Sequence, residues 1–189
     1  MIMYDNNLKN ELMESYNEEI LYDKVYVNFL SDRDITILTN IGLPNSISPY
    51  ISIQSTDKYG GHSLYERIND FEKYDKEEQS LKDLCFIGLV DYGYVVIDKV
   101  GKIQIFDYER EALRYVNSSL DIFLDCAYEY MKFMKTVNDK YGEDGFFEGL
   151  YTEEDIEELK HKISELDEEA LDSGFWDEQI EFLYEDMNS

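Results

Sequence analysis

The sequence predicts a mixed fold in which an antiparallel meander is packed against helices, and three observations carry that expectation. The chain has 189 residues, a length that suits one medium domain. Between Leu84 and Phe106 the β-rich runs "LCFIGL", "YVVID" and "KIQIF" are separated by the short turn-like stretches "VDYG" and "KVG". From Leu120 to Met134 apolar residues then recur at spacings of four and three, the stripe of a helix laid on a sheet.

Taken in order, Leu8, Leu12, Tyr16 and Ile20 stand four apart and predict an N-terminal helix. "YDKVYVNFL" follows as a short extended stretch, and "SDRDITILTNIGLP" reads as a helix with both ends marked. Ser31 is its N-cap with Asp34 three positions on, Gly42 takes the left-handed stop, and Pro44 prevents resumption. "YISIQS" (Tyr50 to Ser55) alternates like a strand. In the polar connection from Thr56 to Lys82, Gly60-Gly61 makes a flexible bend, and Leu64, Ile68 and Phe71 fit either a short helix or a peripheral strand. The meander comes next, with Gly93 and Gly101 in its turns, and "RYVN" offers a further edge strand.

"YVNSSLDIFLDCAYEYM" (Tyr115 to Met131) admits three readings: a glycan acceptor at Asn117, a nucleophilic serine, or a helix start. A catalytic serine wants a neighbouring base, and the two histidines, His62 and His161, are both distant in sequence. Ser118 followed by Asp121 instead has the spacing of a cap, with an acid at the positive helix end. Leu120, Leu124, Ala127, Met131 and Met134 make the buried stripe, widened by Phe123, Tyr130 and Val137. "DKYGEDGFFEG" breaks this helix, Thr152 and Asp155 start another, and a last helix turns Phe175, Trp176, Ile180 and Leu183 inward.

Charge is the strongest compositional signal. Forty-three acids against 17 Lys and Arg leave a net −26, and 18 of those acids, with two lysines, lie between Glu143 and Ser189. Such a field repels phosphate backbones and anionic membranes and favours basic partners. No apolar run approaches the ~20 residues of a membrane helix, and the acidic start lacks the pattern of a signal peptide, so a cytoplasmic location is expected. Cys85 and Cys126 sit inside apolar patterns, make no CxxC, and read as buried free thiols. That setting also argues against the glycan.

Motifs for chemistry are weak. Gly60-Gly61 lacks a phosphate-loop pattern, and a calcium loop begun at Asp139 would put Asp144 where the turning glycine belongs and Leu150 at the last ligand position. Glu158 and His161 form a single ExxH, whereas a di-iron bundle needs two. Neither cofactor nor metal is therefore expected. The "EEDIEELKHKISELDEE" segment is too short for a coiled coil; Ile156, Leu159, Ile163 and Leu166 fit packing onto the chain's own core. Its outward acids, Glu153, Glu154, Glu157, Glu158 and Glu165, with Glu168 just beyond, are the candidate partner-binding site, since carboxylates on a rigid helix meet Lys and Arg at steered rates.

The ordered pieces "ITILTNIGLP", "LCFIGLVDYGYVVIDKVGKIQIFD", "YVNSSLDIFL" and "ALDSGFWDEQIEFL" resemble the SUKH superfamily, in the branch of bacterial immunity proteins counted as its fourth subfamily. The landmarks span Ile35 to Leu183. The resemblance implies an α+β domain, a twisted and mostly antiparallel sheet with helices packed around it, to which the sequence itself adds acidic helices at the C-terminus. One SUKH-like domain is expected over 1–189, with an N-terminal extension (1–30), a sheet-and-helix core (31–141) and an acidic helical part (143–189). The resemblance further implies neutralisation of a polymorphic toxin, often a nuclease, without catalysis by the chain itself. Rival readings are an adaptor or regulatory scaffold of the same fold, an acidic nucleic-acid mimic that occupies a DNA-binding protein, and an enzyme with an unrecognised carboxylate site.

Overall fold

Residues 19–48, 51–53, 59–69, 78–172 and 174–187 are described by a computed structural model. In chain order they form strand β1 (Glu19–Ile20), helix α1 (Asp32–Thr36), a π-helical turn (Ile37–Ile41), and the short strands β2 (Leu43–Pro44), β3 (Ser46–Ser48) and β4 (Ile51–Ser52). Helices α2 (Leu64–Asn69) and α3 (Glu78–Lys82) lead into strands β5 (Leu84–Val90), β6 (Gly93–Asp98), β7 (Ile103–Asp107) and β8 (Ala112–Asn117). Helices α4 (Leu120–Tyr141), α5 (Glu153–Leu166) and α6 (Phe175–Met187) complete the chain, with a 3-10 turn at Glu168–Leu171. The class is α+β, as expected.

Strands β5 to β8 pair in sequence order, all antiparallel, so the meander gains "RYVN" as its fourth strand. The first hairpin turns at Asp91-Tyr92, and Gly93 is the first residue of β6, paired with Val90, rather than a turn residue. Its glycine is needed for strand approach: a Cβ there would stand 2.5 Å from the Phe106 carbonyl oxygen on β7. Alternation points Cys85, Ile87, Val95, Ile97, Ile103 and Ile105 to one face, where they join α4. Leu84, Phe86, Tyr94, Val96 and Phe106 point to the other and meet Leu64, Ile68 and Leu81 of α2 and α3. Both faces are covered, which explains why these strands are apolar at nearly every position.

The helix over Leu64 and Ile68 settles one open choice, while Phe71 lies outside the described residues. The same is true of Leu8, Leu12 and Tyr16; Ile20 pairs with Leu43 in β1, so no helix reaches it. "YDKVYVNFL" forms no strand. It runs irregularly, pinned by Tyr22 N–H to Leu38 O (2.9 Å) and Tyr26 N–H to Gly61 O (2.8 Å). Gly60 lies directly beneath the Tyr22 ring, 2.2 Å from where a Cβ would be, so this glycine serves close approach. The "YISIQS" strand is only Ile51–Ser52 within the described residues.

Helix α1 carries its capping box on Ser31 and Asp34, and Gly42 ends the segment at φ 87°. Between them the α-helix gives way to a π turn; Ile35, Thr36, Ile37, Thr39 and Ile41 crowd this stretch with β-branches, which weakens regular helix. At α4 the cap sits one residue later than the sequence implied. Ser119 is the N-cap, accepting from the Ile122 N–H at 3.3 Å. Ser118 is engaged elsewhere: its N–H donates to Asp167 Oδ2 at 2.8 Å.

That bond belongs to a buried polar knot. Asn117, fully buried at the end of β8, donates from Nδ2 to Asp167 Oδ2 (3.2 Å) and accepts the Trp176 indole N–H (2.9 Å). Tyr115 donates its hydroxyl to the same carboxylate, 2.9 Å from Oδ2. Asp167 stops α5, and Trp176 opens α6, so one amide and one carboxylate tie both C-terminal helices to the sheet edge. A buried donor or carboxylate stripped of its partner bears its whole desolvation cost. Asn117→Ala should therefore destabilise the fold by roughly 2–4 kcal/mol. Chemical denaturation measures it. Asp167→Ala should be similarly costly and the pair strongly non-additive; a loss below about 1 kcal/mol in both variants would contradict the assignment.

Candidate functional site

Helix α5 is built as an acidic amphipath. The Thr152 hydroxyl accepts from the Asp155 N–H at 3.3 Å while the Asp155 carboxylate takes the Thr152 N–H at 2.9 Å. Ile156, Leu159 and Ile163 are buried, and Glu153, Glu154, Glu157, Glu158 and Glu165 are all exposed on the opposite arc. Glu168, also exposed, lies past the Asp167 helix stop in the 3-10 turn. The structure thus brings the first five together on one helix and leaves the sixth beyond its end.

This arc is less uniformly negative than its sequence. Glu157 accepts from the Tyr184 hydroxyl of α6 and lies 3.7 Å from Lys160. Those contacts, the tyrosine's first, hold its carboxyl below the ordinary range, and the Tyr184 phenol is pushed up to about 12. Glu158 meets Lys162 at 2.7 Å, which lowers its pKa as well. His161, exposed among the acids, faces Glu165 at 3.6 Å. Lys140, at the end of α4, is in the field of Glu154 and Asp155. Exposed pairs of this kind add little stability, yet they consume charge that a partner would otherwise meet.

In the sequence the segment joining α4 to α5 reads only as a helix break and a failed calcium loop, not as a surface. It is a compact turn closed by Leu150 N–H to Gly145 O (2.9 Å) and Gly149 N–H to Phe146 O (3.2 Å). Phe146 is fully buried against Tyr130, Phe133 and Tyr151, and Phe147, next to it, is 53% exposed. The signal was present in "GFFEGL": a tight turn cannot bury both members of an aromatic doublet. Tyr151 donates its hydroxyl to Asp186 of α6 at 2.9 Å, which seats the turn on the last helix.

The other candidates resolve into structural roles. Cys85 and Cys126 are free and buried, as expected; burial pushes the Cys126 thiol up to about 12 and that of Cys85 higher still, so neither is a ready thiolate. His62 stacks on Tyr26 (3.7 Å between centroids) and bonds to Glu66 at 3.2 Å. Glu66 also takes the Ser63 N–H at 3.3 Å, so it is occupied at the start of α2 rather than positioned as a base. Among the described residues no three His, Cys, Asp or Glu side chains are grouped to hold a metal ion. No helix there is long and apolar enough to cross a membrane.

Along α4, Asp121, Asp125 and Glu129 stand four apart. Arg33 pairs with Asp121, and Lys132 and Lys162 approach Glu129 at 3.7 and 3.9 Å. Asp125, between the two acids, has its pKa raised by partial burial and then by their repulsion, against a smaller pull from Arg33. With its folded pKa above the unfolded value, the ionised carboxylate disfavours the folded state, and that penalty fades as pH falls to the unfolded pKa of roughly 3.9. Asp125→Asn should therefore raise the denaturation midpoint at neutral pH, with the gain shrinking toward about pH 4. Equal midpoints at neutral pH, or a gain that grows on acidification, would contradict this.

Compared with known proteins, residues 28–182 match the family of the SUKH-4 immunity protein. Nothing among the curated proteins or the solved structures matches the chain. The matched span contains α1, the four-stranded meander, the Asn117–Asp167–Trp176 knot and all six predicted site acids. By that match this chain belongs to the SUKH-4 immunity protein family.

Proposed function

We propose that the chain binds a cognate basic toxin of a bacterial polymorphic toxin system stoichiometrically in the cytoplasm, and neutralises it by covering its functional surface without performing chemistry. Family membership supports the immunity role. The observation that carries the chemistry of the partner is the concentration of acid, 18 acids and two lysines from Glu143 onward, most of them on α5, α6 and the turns beside these helices, with Asp167 alone among them buried. A nuclease holds phosphates with Lys and Arg, and an acidic surface complements that groove. In this reading the toxin is a nuclease, and Glu153, Glu154, Glu157, Glu158, Glu165 and Glu168 supply the field that draws it in.

The test uses the toxin domain identified by co-purification with the chain from its native host. Reversing Glu154, Glu157, Glu158 and Glu165 to Lys should weaken binding at least about 100-fold, chiefly through the association rate, and flatten its salt dependence. Melting should move little, because all four side chains are exposed. Unchanged affinity with the fold intact would remove these residues from the site.

A further inference from the structure

We infer that the partner is anchored by an apolar patch, Phe147, Leu150 and Phe182, where the α4–α5 turn lies on α6, and that it offers there an apolar pocket bordered by Lys and Arg. The inference rests on the toxin-binding reading and locates the centre of the contact. Phe147 is 53%, Leu150 41% and Phe182 36% exposed. The first two project from the compact turn, and Gly149 in that turn rests on α6: at φ 62°, its Cβ position would be 3.0 Å from the Asp186 carbonyl oxygen. Phe182 is one helical turn before Asp186, on the same side of α6. All three side chains therefore lie within about one turn of the seam.

The turn that carries Phe147 and Leu150 is anchored to the core and to α6. Phe146 is locked in the core beneath Phe147, and the Tyr151–Asp186 bond pins the turn to the helix. Large apolar side chains carried on an anchored backbone add contact area without the cost of ordering a loop.

Charge selects the occupant. Glu148 lies between Phe147 and Leu150 in sequence, Asp186 follows Phe182 by one turn, and neither 142–159 nor 163–189 contains a lysine or arginine. The nearby Arg114 of β8 is held by Glu178 and the Tyr92 ring. A second copy of this chain would bring acid against acid, and a nucleic acid or an anionic membrane would be repelled equally. An apolar centre inside an anionic rim fits a basic protein. Tyr184, two residues beyond Phe182, points to the other side of α6, onto Glu157. The α5 acids and the patch thus flank α6: the acids steer the approach, and the patch slows departure.

The experiment measures association and dissociation rates of the full chain with the toxin domain used above, for wild type, Phe147→Ser, Phe182→Ser and Leu150→Ala. Each phenylalanine variant should weaken Kd about 30-fold through faster dissociation, with the association rate within about threefold. Unaltered melting and Trp176 fluorescence establish that the variants are folded. Should Phe147→Ser melt without cooperativity, Phe182→Ser and Leu150→Ala carry the test. Wild-type affinity in the folded variants would overturn the patch and leave the neutralisation reading standing. Failure of the wild-type chain to bind that toxin would overturn both. Concentration-dependent self-association abolished by Phe182→Ser would assign the patch to a second copy and overturn the inference.

Discussion

The Asp167 carboxylate is the hinge pin of this protein. It ends α5, accepts bonds from the Ser118 N–H, Asn117 and Tyr115, and through Asn117 communicates with the Trp176 indole. A buried charge survives only when its lone pairs are met by donors, and here three groups from one sheet edge meet it. The consequence is geometric: the acidic helices hold a defined place against the sheet, because any displacement would strand a carboxylate and an indole N–H away from water. The same demand explains why Ser119, and not Ser118, caps α4.

That constraint operates on a sheet packed on both faces, with β8 the most open to solvent of its four strands. With α2 and α3 on one side and α4 on the other, the meander is an interior layer, and the C-terminal helices extend the larger core through Ile156, Ile163, Ile180 and Leu183. Burial on this scale must offset the self-repulsion of a chain at −26. Part of the repulsion is relieved locally by Lys160 and Lys162 beside their glutamates. The turn before α5 and helix α6 have no lysine or arginine of their own, and on α6 Glu178 is met by Arg114 from β8. The electrostatic character of the surface is thus set by where the few lysines are placed as much as by the number of acids.

Local features were the ones legible in advance. The Ser31–Asp34 and Thr152–Asp155 boxes, the stop at Gly42, the four strands and the inward faces of α4 to α6 each depend on residues within a few positions of one another. The misses had long-range causes. "YDKVYVNFL" reads as a short extended stretch but is drawn into irregular contacts with Leu38 and Gly61, and Gly60 is shaped by Tyr22, 38 residues earlier. Asp167 was one acid among 43 until β8 was set beside it.

The sequence by itself determined the class of the fold and the sign of the surface, because periodicity, capping and net charge are properties of neighbouring residues, while the order and spacing of its motifs carried the family resemblance. Only the tertiary structure decided which acids are neutralised by partners, which one is a structural anchor, and which aromatic of the Phe146–Phe147 pair is left facing solvent. Those outcomes depend on which distant groups share the limited interior of the protein, and burial is a property of the packed whole.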